Sequence, residues 1–131
     1  MCLKSSLFGI GRFVFKVSIM DENTAKYYSA NSTSISERYD KASGGVDKYF
    51  STAFVAGSRI IDVGCGNGRD LKLLLSGGFD ASGIDACAEF VDLFNTNNAE
   101  YPGRMRVEYL PELKSVEDKS FDGVLCSAVL M

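Results

Sequence analysis

Gly64, Gly66 and Gly68 alternate with Cys65 and Asn67 directly after the run Ile60, Ile61, Asp62, Val63, in the stretch IIDVGCGNGRD. Glycine lets a backbone turn sharply and lets a ligand approach without meeting a Cβ. Carboxylates flank the turn at Asp62 and Asp70, and a third, Asp85, follows Gly64 by 21 residues. A carboxylate at that distance, closing the next strand, can accept hydrogen bonds from ribose hydroxyls. The set points to a nucleoside-containing cofactor. Spacing alone leaves open whether that cofactor is NAD or S-adenosylmethionine.

Charge narrows the choice. A dinucleotide sets its pyrophosphate at a helix N-terminus, where backbone N–H groups and the helix dipole favour anions. Here Asp62 precedes the turn and Asp70 falls in the first helical turn after it. A carboxylate about 6 Å from a phosphate costs roughly 2–3 kcal/mol at an effective dielectric near 20, unless Arg69 screens it. S-adenosylmethionine instead brings an ammonium and a sulfonium, which carboxylates suit. The spacing is also G-x-G-x-G and not the G-x-G-x-x-G of dinucleotide sites. The pattern favours the sulfonium cofactor, with half of a nicotinamide-dependent oxidoreductase as the weaker alternative.

The elements around the turn must hold these residues in place. RIIDV (59–63) reads as a buried strand, followed by a helix through RDLKLLLS with Leu71, Leu74 and Leu75 on one face. DASGID (80–85) reads as a second strand and CAEFVDLFNTNN (87–98) as a second helix, packing through Cys87, Phe90, Val91 and Phe94. MRVEYL (105–110) is a third strand and FDGVLCSAVLM (121–131) a fourth. This rhythm implies right-handed crossovers and a mostly parallel sheet. Upstream, Ser34 and Glu37 have capping-box spacing, which predicts a helix beginning there and ending at Gly44 and Gly45. Val46, Tyr49, Phe50, Ala53 and Phe54 then fall at helical spacing, with Gly57 as the stop.

IIDVGCGNGRDLKLLLSGGFDASGID resembles the first two motifs of the class I S-adenosylmethionine-dependent methyltransferases, and SFDGVLCSAVLM resembles the motif on their fourth strand. The resemblance spans about residues 24–131. It implies a Rossmann-like three-layer α/β/α fold with a mostly parallel sheet, of which only the N-terminal, cofactor-binding half of about four strands is expected. By that resemblance Asp62, Gly64 and Gly66 line the methionine moiety, with Cys65 and Gly68 completing the turn. Asp85, with Ala86 beside it, holds the ribose, and Leu110 and Pro111 flank the adenine. Ser127 and Ala128 lie under the cofactor. KYYSANSTSISERYD resembles a helical lid, so Tyr27, Tyr28, Arg38 and Tyr39 are candidates to close over the site.

Composition sets the outer limits. Of 131 residues, 46% are hydrophobic and 24% charged, the balance of one globular domain. The net charge of −3 with no cluster of Lys and Arg gives no support to a nucleic-acid surface. Histidine is absent, which removes the commonest general base and the commonest metal ligand. Cys2, Cys65, Cys87 and Cys126 show no C-x-x-C pairing. They read as small buried hydrophobes in a reducing cytoplasm, with no metal site. Residues 1–19 are apolar but interrupted by Lys4, Arg12 and Lys16, so they fit neither a signal peptide nor a membrane span. The expected division is a non-domain extension at 1–19, helices forming a lid at 20–58, and an incomplete cofactor-binding domain at 59–131.

The resembled family has seven strands in the order 3-2-1-4-5-7-6, and four are expected here. The fourth would then be an apolar edge, inviting self-association. Residues that orient a methyl acceptor come from the other half of such proteins, so no catalytic residue is named. A small-molecule acceptor is expected, and a non-catalytic cofactor-binding remnant is the remaining alternative.

Overall fold

Two short runs, RIIDV and DASGID, make the centre of a parallel sheet. In the computed structural model, which describes residues 6–10, 13–17, 22–41 and 45–127, β3 (Arg59–Val63) pairs in parallel with β4 (Asp80–Asp85), from Arg59 opposite Asp80 to Val63 opposite Ile84. β5 (Met105–Val107) adds to β4, and β6 (Gly123–Leu125) adds to the other side of β3, both parallel. The resulting order is β5-β4-β3-β6. It equals the 3-2-1-4 portion of the expected order. The chain leaves β3 in one direction to build β4 and β5, and β6 returns on the other side. That reversal opens a crevice at the carboxyl ends of β3 and β6, where open α/β sheets bind ligands.

Side-chain alternation divides the core in two. Ile60 points with Leu71 and Leu74 of α3 (Arg69–Ser76) and with Phe90 and Phe94 of α4 (Ala88–Asn97) into the larger cluster. Ile61 and Val63 point to the opposite face, where Ile84 joins them under Leu110, Leu113, Val116 and Phe121. Period-two alternation along a strand requires this split. Asp62 shares the parity of Ile60, and only 2% of it is exposed.

Before the sheet come a hairpin of β1 (Ser6–Ile10) and β2 (Phe13–Val17), paired antiparallel, and the long helix α1 (Glu22–Lys41). The hairpin lies inside the segment read from sequence as an extension. α1 corrects the capping-box reading of Ser34 and Glu37. The helix is already three turns old at Ser34, whose hydroxyl donates to the carbonyl of Asn31 one turn back. Mid-helix serines commonly spend the hydroxyl this way.

The amphipathic segment 46–54 is also shorter in regular helix than its spacing implies. It forms a 3₁₀ turn (Val46–Tyr49) and one α-helical turn, α2 (Phe50–Ala53). Phe54 then turns extended and sets its ring edge-on to Phe79, with centroids 6.1 Å apart. The third strand is shorter than the MRVEYL reading and ends at Val107. Glu108 N–H still donates to the Asp85 carbonyl at 3.0 Å, while its Oε1 accepts the Ser115 N–H of the next loop at 2.7 Å. Arg59 and Asp122 fasten β6 to β3 through a fork. Asp122 Oδ1 accepts from Nη2 at 2.9 Å, and Oδ2 accepts from Nε at 3.2 Å and from the Arg59 N–H at 2.9 Å.

Candidate functional site

The three glycines after β3 all adopt left-handed backbone, with φ of 67° at Gly64, 57° at Gly66 and 79° at Gly68. A side chain at these positions would be strained whatever space it met. The turn is tied to the end of β4 twice. The N–H groups of Gly64 and Cys65 donate to the carbonyl of Ile84, at 2.8 and 3.1 Å. Gly66 N–H donates to Asp85 Oδ2 at 2.8 Å, and the other oxygen, Oδ1, accepts from Cys87 N–H at the head of α4, also at 2.8 Å. Asp85 therefore bridges the glycine turn to the next helix while remaining half-buried. Ala86 follows it, likewise half-buried, in the bend before α4.

Gly68 has a second reason to be glycine. A Cβ there would lie 2.3 Å from Cδ2 of Phe94, well inside contact distance. Its role in this structure is to let α4 pack against the start of α3.

Asp62 is the electrostatic centre of the site. It is buried, and its Oδ2 is without a hydrogen-bond partner among the described residues. Burial, then the charges of Asp70 and Asp85, push its carboxyl up to about 7. Asp70 is buried too, but Arg69 shields it, with Nε at 3.1 Å and Nη2 at 3.0 Å from Oδ1. Of the three carboxylates, Asp85 is occupied by two N–H groups and Asp70 by a guanidinium, while Asp62 keeps a dry oxygen uncompensated. An unpaired buried carboxylate oxygen costs several kcal/mol by general estimates. Cys65 in the turn and Cys126 just beyond β6 both have thiols pushed up by desolvation and then by Asp62. The ends of β3, β4 and β6 thus bring these acidic groups and thiols together at one rim of the sheet.

The end of α1 reaches over the glycine turn at this rim. A Cβ on Gly66 would meet Cε2 of Tyr39 at 3.4 Å, so the tyrosine ring lies across the turn. The Tyr39 hydroxyl is pushed up first by burial, then by the neighbouring Tyr28 and by Asp85. Tyr28 stands edge-on to Phe90, with ring centroids 6.3 Å apart. Arg38 is exposed, and its Nε reaches the Ser34 carbonyl of its own helix at 3.4 Å.

The candidates therefore divide. Asp62, Gly64, Cys65, Gly66, Asp85 and Tyr39 meet at the carboxyl ends of the strands, with Tyr28 behind them. Leu110 and Pro111 are half-buried, and Leu110 packs on the other face of the sheet over Ile61, Val63 and Ile84. Ser127 is half-buried beyond β6. Ala128 lies outside the described residues. Sequence reasoning passed over Asn67, whose amide joins the turn to α1 through Ser36 and Asp40. Its place as an interior residue of G-x-G-x-G was the available signal.

Among the described residues, no group of three His, Cys, Asp or Glu side chains could hold a metal ion. No described helix is long and apolar enough to cross a membrane.

A parallel sheet in this order, a glycine turn at its reversal and an acidic residue ending the next strand define a Rossmann-like methyltransferase fold. Residues 61–131, more than half of the chain, match the methyltransferase domain family, and the chain belongs to that family. It is similar in structure to a TehB-like SAM-dependent methyltransferase from Corynebacterium glutamicum, with a TM-score of 0.59 and 25% identity over 75% of this chain and 55% of that one. Also similar are SAM-dependent methyltransferases from Geobacter sulfurreducens and Thiobacillus denitrificans, each in complex with S-adenosyl-L-homocysteine. Their TM-scores are 0.48 and 0.45, both at 19% identity, over 73% and 72% of this chain and 42% of each of theirs. The chain thus spans about half the length of the structures it matches. No curated protein matches it.

Proposed function

We propose that this chain is the cofactor-binding half of an S-adenosylmethionine-dependent methyltransferase whose acceptor is a small molecule. The observation that carries the reading is the uncompensated Asp62 Oδ2 at the base of the glycine turn. A buried, uncompensated carboxylate is costly for a pyrophosphate beside it and favourable for a ligand bearing cationic groups.

Asp62 would face the positive charge of the methionine portion, with the backbone of Gly64, Cys65 and Gly66 alongside. Asp85, beside Ala86, still has lone pairs available to ribose hydroxyls after accepting two N–H bonds. Leu110 and Pro111 would border the adenine, and Ser127 and Ala128 the underside of the ligand. Tyr28, Arg38 and Tyr39 would act from α1 as the cover. When bound, S-adenosylmethionine supplies an electrophilic methyl group for in-line transfer. The chain's own contribution is to bind, orient and keep water from the donor.

We extend the reading to a cytoplasmic setting, supported by three free cysteines, Cys65, Cys87 and Cys126. The chain is divided into an extension at 1–19, a helical cover at 20–58 and the cofactor domain from 59. Self-association through β6 is supported by Val124, which is 56% exposed on that outer strand.

Isothermal titration with S-adenosylmethionine, S-adenosylhomocysteine and NADH tests the central reading. Binding of the first two is expected. An NADH isotherm with no heat from either adenosyl ligand would overturn it.

A further inference from the structure

α1 is a long helix with little apolar grip. Of its 20 residues only Ile35 and Ser36 are buried, with Tyr28 packed at the edge of the core against Phe90 of α4, so apolar contact alone does not account for how its last turn is held. What holds its last turn is polar and comes from the glycine turn. Asn67 Nδ2 donates to Asp40 Oδ1 at 2.8 Å and to both the carbonyl and the hydroxyl oxygen of Ser36 at 3.2 Å. The other end of the same amide, Oδ1, accepts the Arg69 N–H at 3.2 Å and so heads α3. Arg69 Nη1 adds a bond to the Tyr39 carbonyl at 3.2 Å. Between these anchor points sits Tyr39, the residue whose ring crosses Gly66.

We propose that Asn67 is a positioning residue, a latch that holds the end of α1 over the glycine turn and so sets Tyr39 across the cofactor site. The proposal rests on the methyltransferase reading for the identity of the ligand, but not for the latch itself. A carboxamide is the side chain that supplies donors toward α1 and an acceptor toward α3 from one short stem. Aspartate at this place keeps the acceptor, loses both donors and faces Asp40 with a like charge. A helix held by a few polar contacts opens at lower cost than the core. Such an element can cover a ligand and release it without unfolding the sheet.

Hydrogen–deuterium exchange on the full chain, with and without S-adenosylhomocysteine, reads the latch directly. Three variants are compared with wild type: Asn67→Asp, Asp40→Asn, and the two combined, which reverses the donor and acceptor of the pair. In ligand-free protein, Asn67→Asp should speed exchange at Ser36–Lys41 roughly tenfold, as expected for losing a charge-assisted hydrogen bond. Amides of β3 and β4 should be unchanged, which separates unlatching from unfolding. The reversed pair should recover much of the protection. Stopped-flow binding should show Asn67→Asp raising the dissociation rate of S-adenosylhomocysteine, again with recovery in the reversed pair. Should Asn67→Asp destabilise the whole fold, Asp40→Ala at an exposed site carries the same exchange test. Unchanged exchange in α1, or a reversed pair no better than Asn67→Asp, overturns the latch. Absence of ligand binding by wild type overturns the methyltransferase reading, and the ligand-free exchange then decides the latch alone.

Discussion

The carboxylate of Asp85 accepts the backbone N–H of Gly66 at 2.8 Å. The residue expected to recognise ribose therefore also fixes the shape of the turn that receives the rest of the ligand. Asp85→Ala should weaken binding of S-adenosylmethionine by about 1.5–3 kcal/mol, the range for hydrogen bonds to charged groups. Asp85→Asn, which can still accept from one N–H, should lose less. Titration calorimetry on both variants checks this, and an unchanged affinity in Asp85→Ala would remove the residue from the site.

Gly68 gives a different expectation from its neighbours. Its φ of 79° and the closeness of Phe94 make Gly68→Ala a packing lesion before it is a binding lesion. Left-handed strain and overpacking together amount to about 2–5 kcal/mol. Thermal melts should show the loss without ligand. The double variant Gly68→Ala with Phe94→Leu should recover part of it, and simple addition of the two effects would argue against the clash.

The pH dependence follows from Asp62. Its folded-state carboxyl titrates near 7, well above the ordinary 3.8. Between these values the folded state holds a proton that the unfolded chain has lost, so stability falls as pH rises through that window. The contribution is on the order of 4 kcal/mol at most. Ligand-free protein should melt at higher temperature at pH 5 than at pH 8, and Asp62→Asn should flatten that slope. A cationic ligand favours the ionised carboxylate, so binding at pH 6.5 should release a proton. Calorimetry in buffers of different ionisation enthalpy counts it. A buffer-independent heat would contradict the placement of Asp62 beside the ligand's positive charge.

Thiol reactivity offers a separate check on the turn. Cys65 is pushed well above the ordinary thiol range by desolvation first and by Asp62 and Asp85 next. Cys126 is exposed. Timed alkylation followed by peptide mass mapping should label Cys126 before Cys65. The reverse order would mean that the turn is more open than its packing against Gly83 and Leu71 allows.

What the sequence made legible was whatever apolar periodicity and glycine enforce. β3 and β4 coincide with the runs read from RIIDV and DASGID, because alternation onto two buried faces leaves one register for each. α3 is equally plain from Leu71 and Leu74. α1 falls within the region read as helical, but its start at Glu22 differs from the Ser34 start because it carries no apolar stripe: with Ile35 and Ser36 as its buried residues, there is no 3.6 period to mark it. The segment 46–54 failed in the opposite way. Its period is present, but Phe54 leaves the helix to pack on Phe79. At the site, the residues of the turn and Asp85 could be read from spacing. Their division of labour could not, since the orphaned oxygen of Asp62 and the two hydrogen bonds accepted by Asp85 depend on which N–H groups the fold delivers.

Gly57, Gly78 and Gly103 precede β3, β4 and β5 in turn. All three have positive φ, and a Cβ on any of them would meet nothing within 4 Å. Gly66, Gly68 and Gly83, which serve the turn, are hemmed in by Tyr39, Phe94, and Leu71 with Cys65. A parallel sheet sends all its strands the same way, so recognition gathers at one rim and slack at the other. For anyone attaching a fluorophore, a surface tether or an inserted peptide, the loops at those three open glycines are the handle. Cargo placed there hangs from the far side of the sheet and leaves the ligand's approach clear.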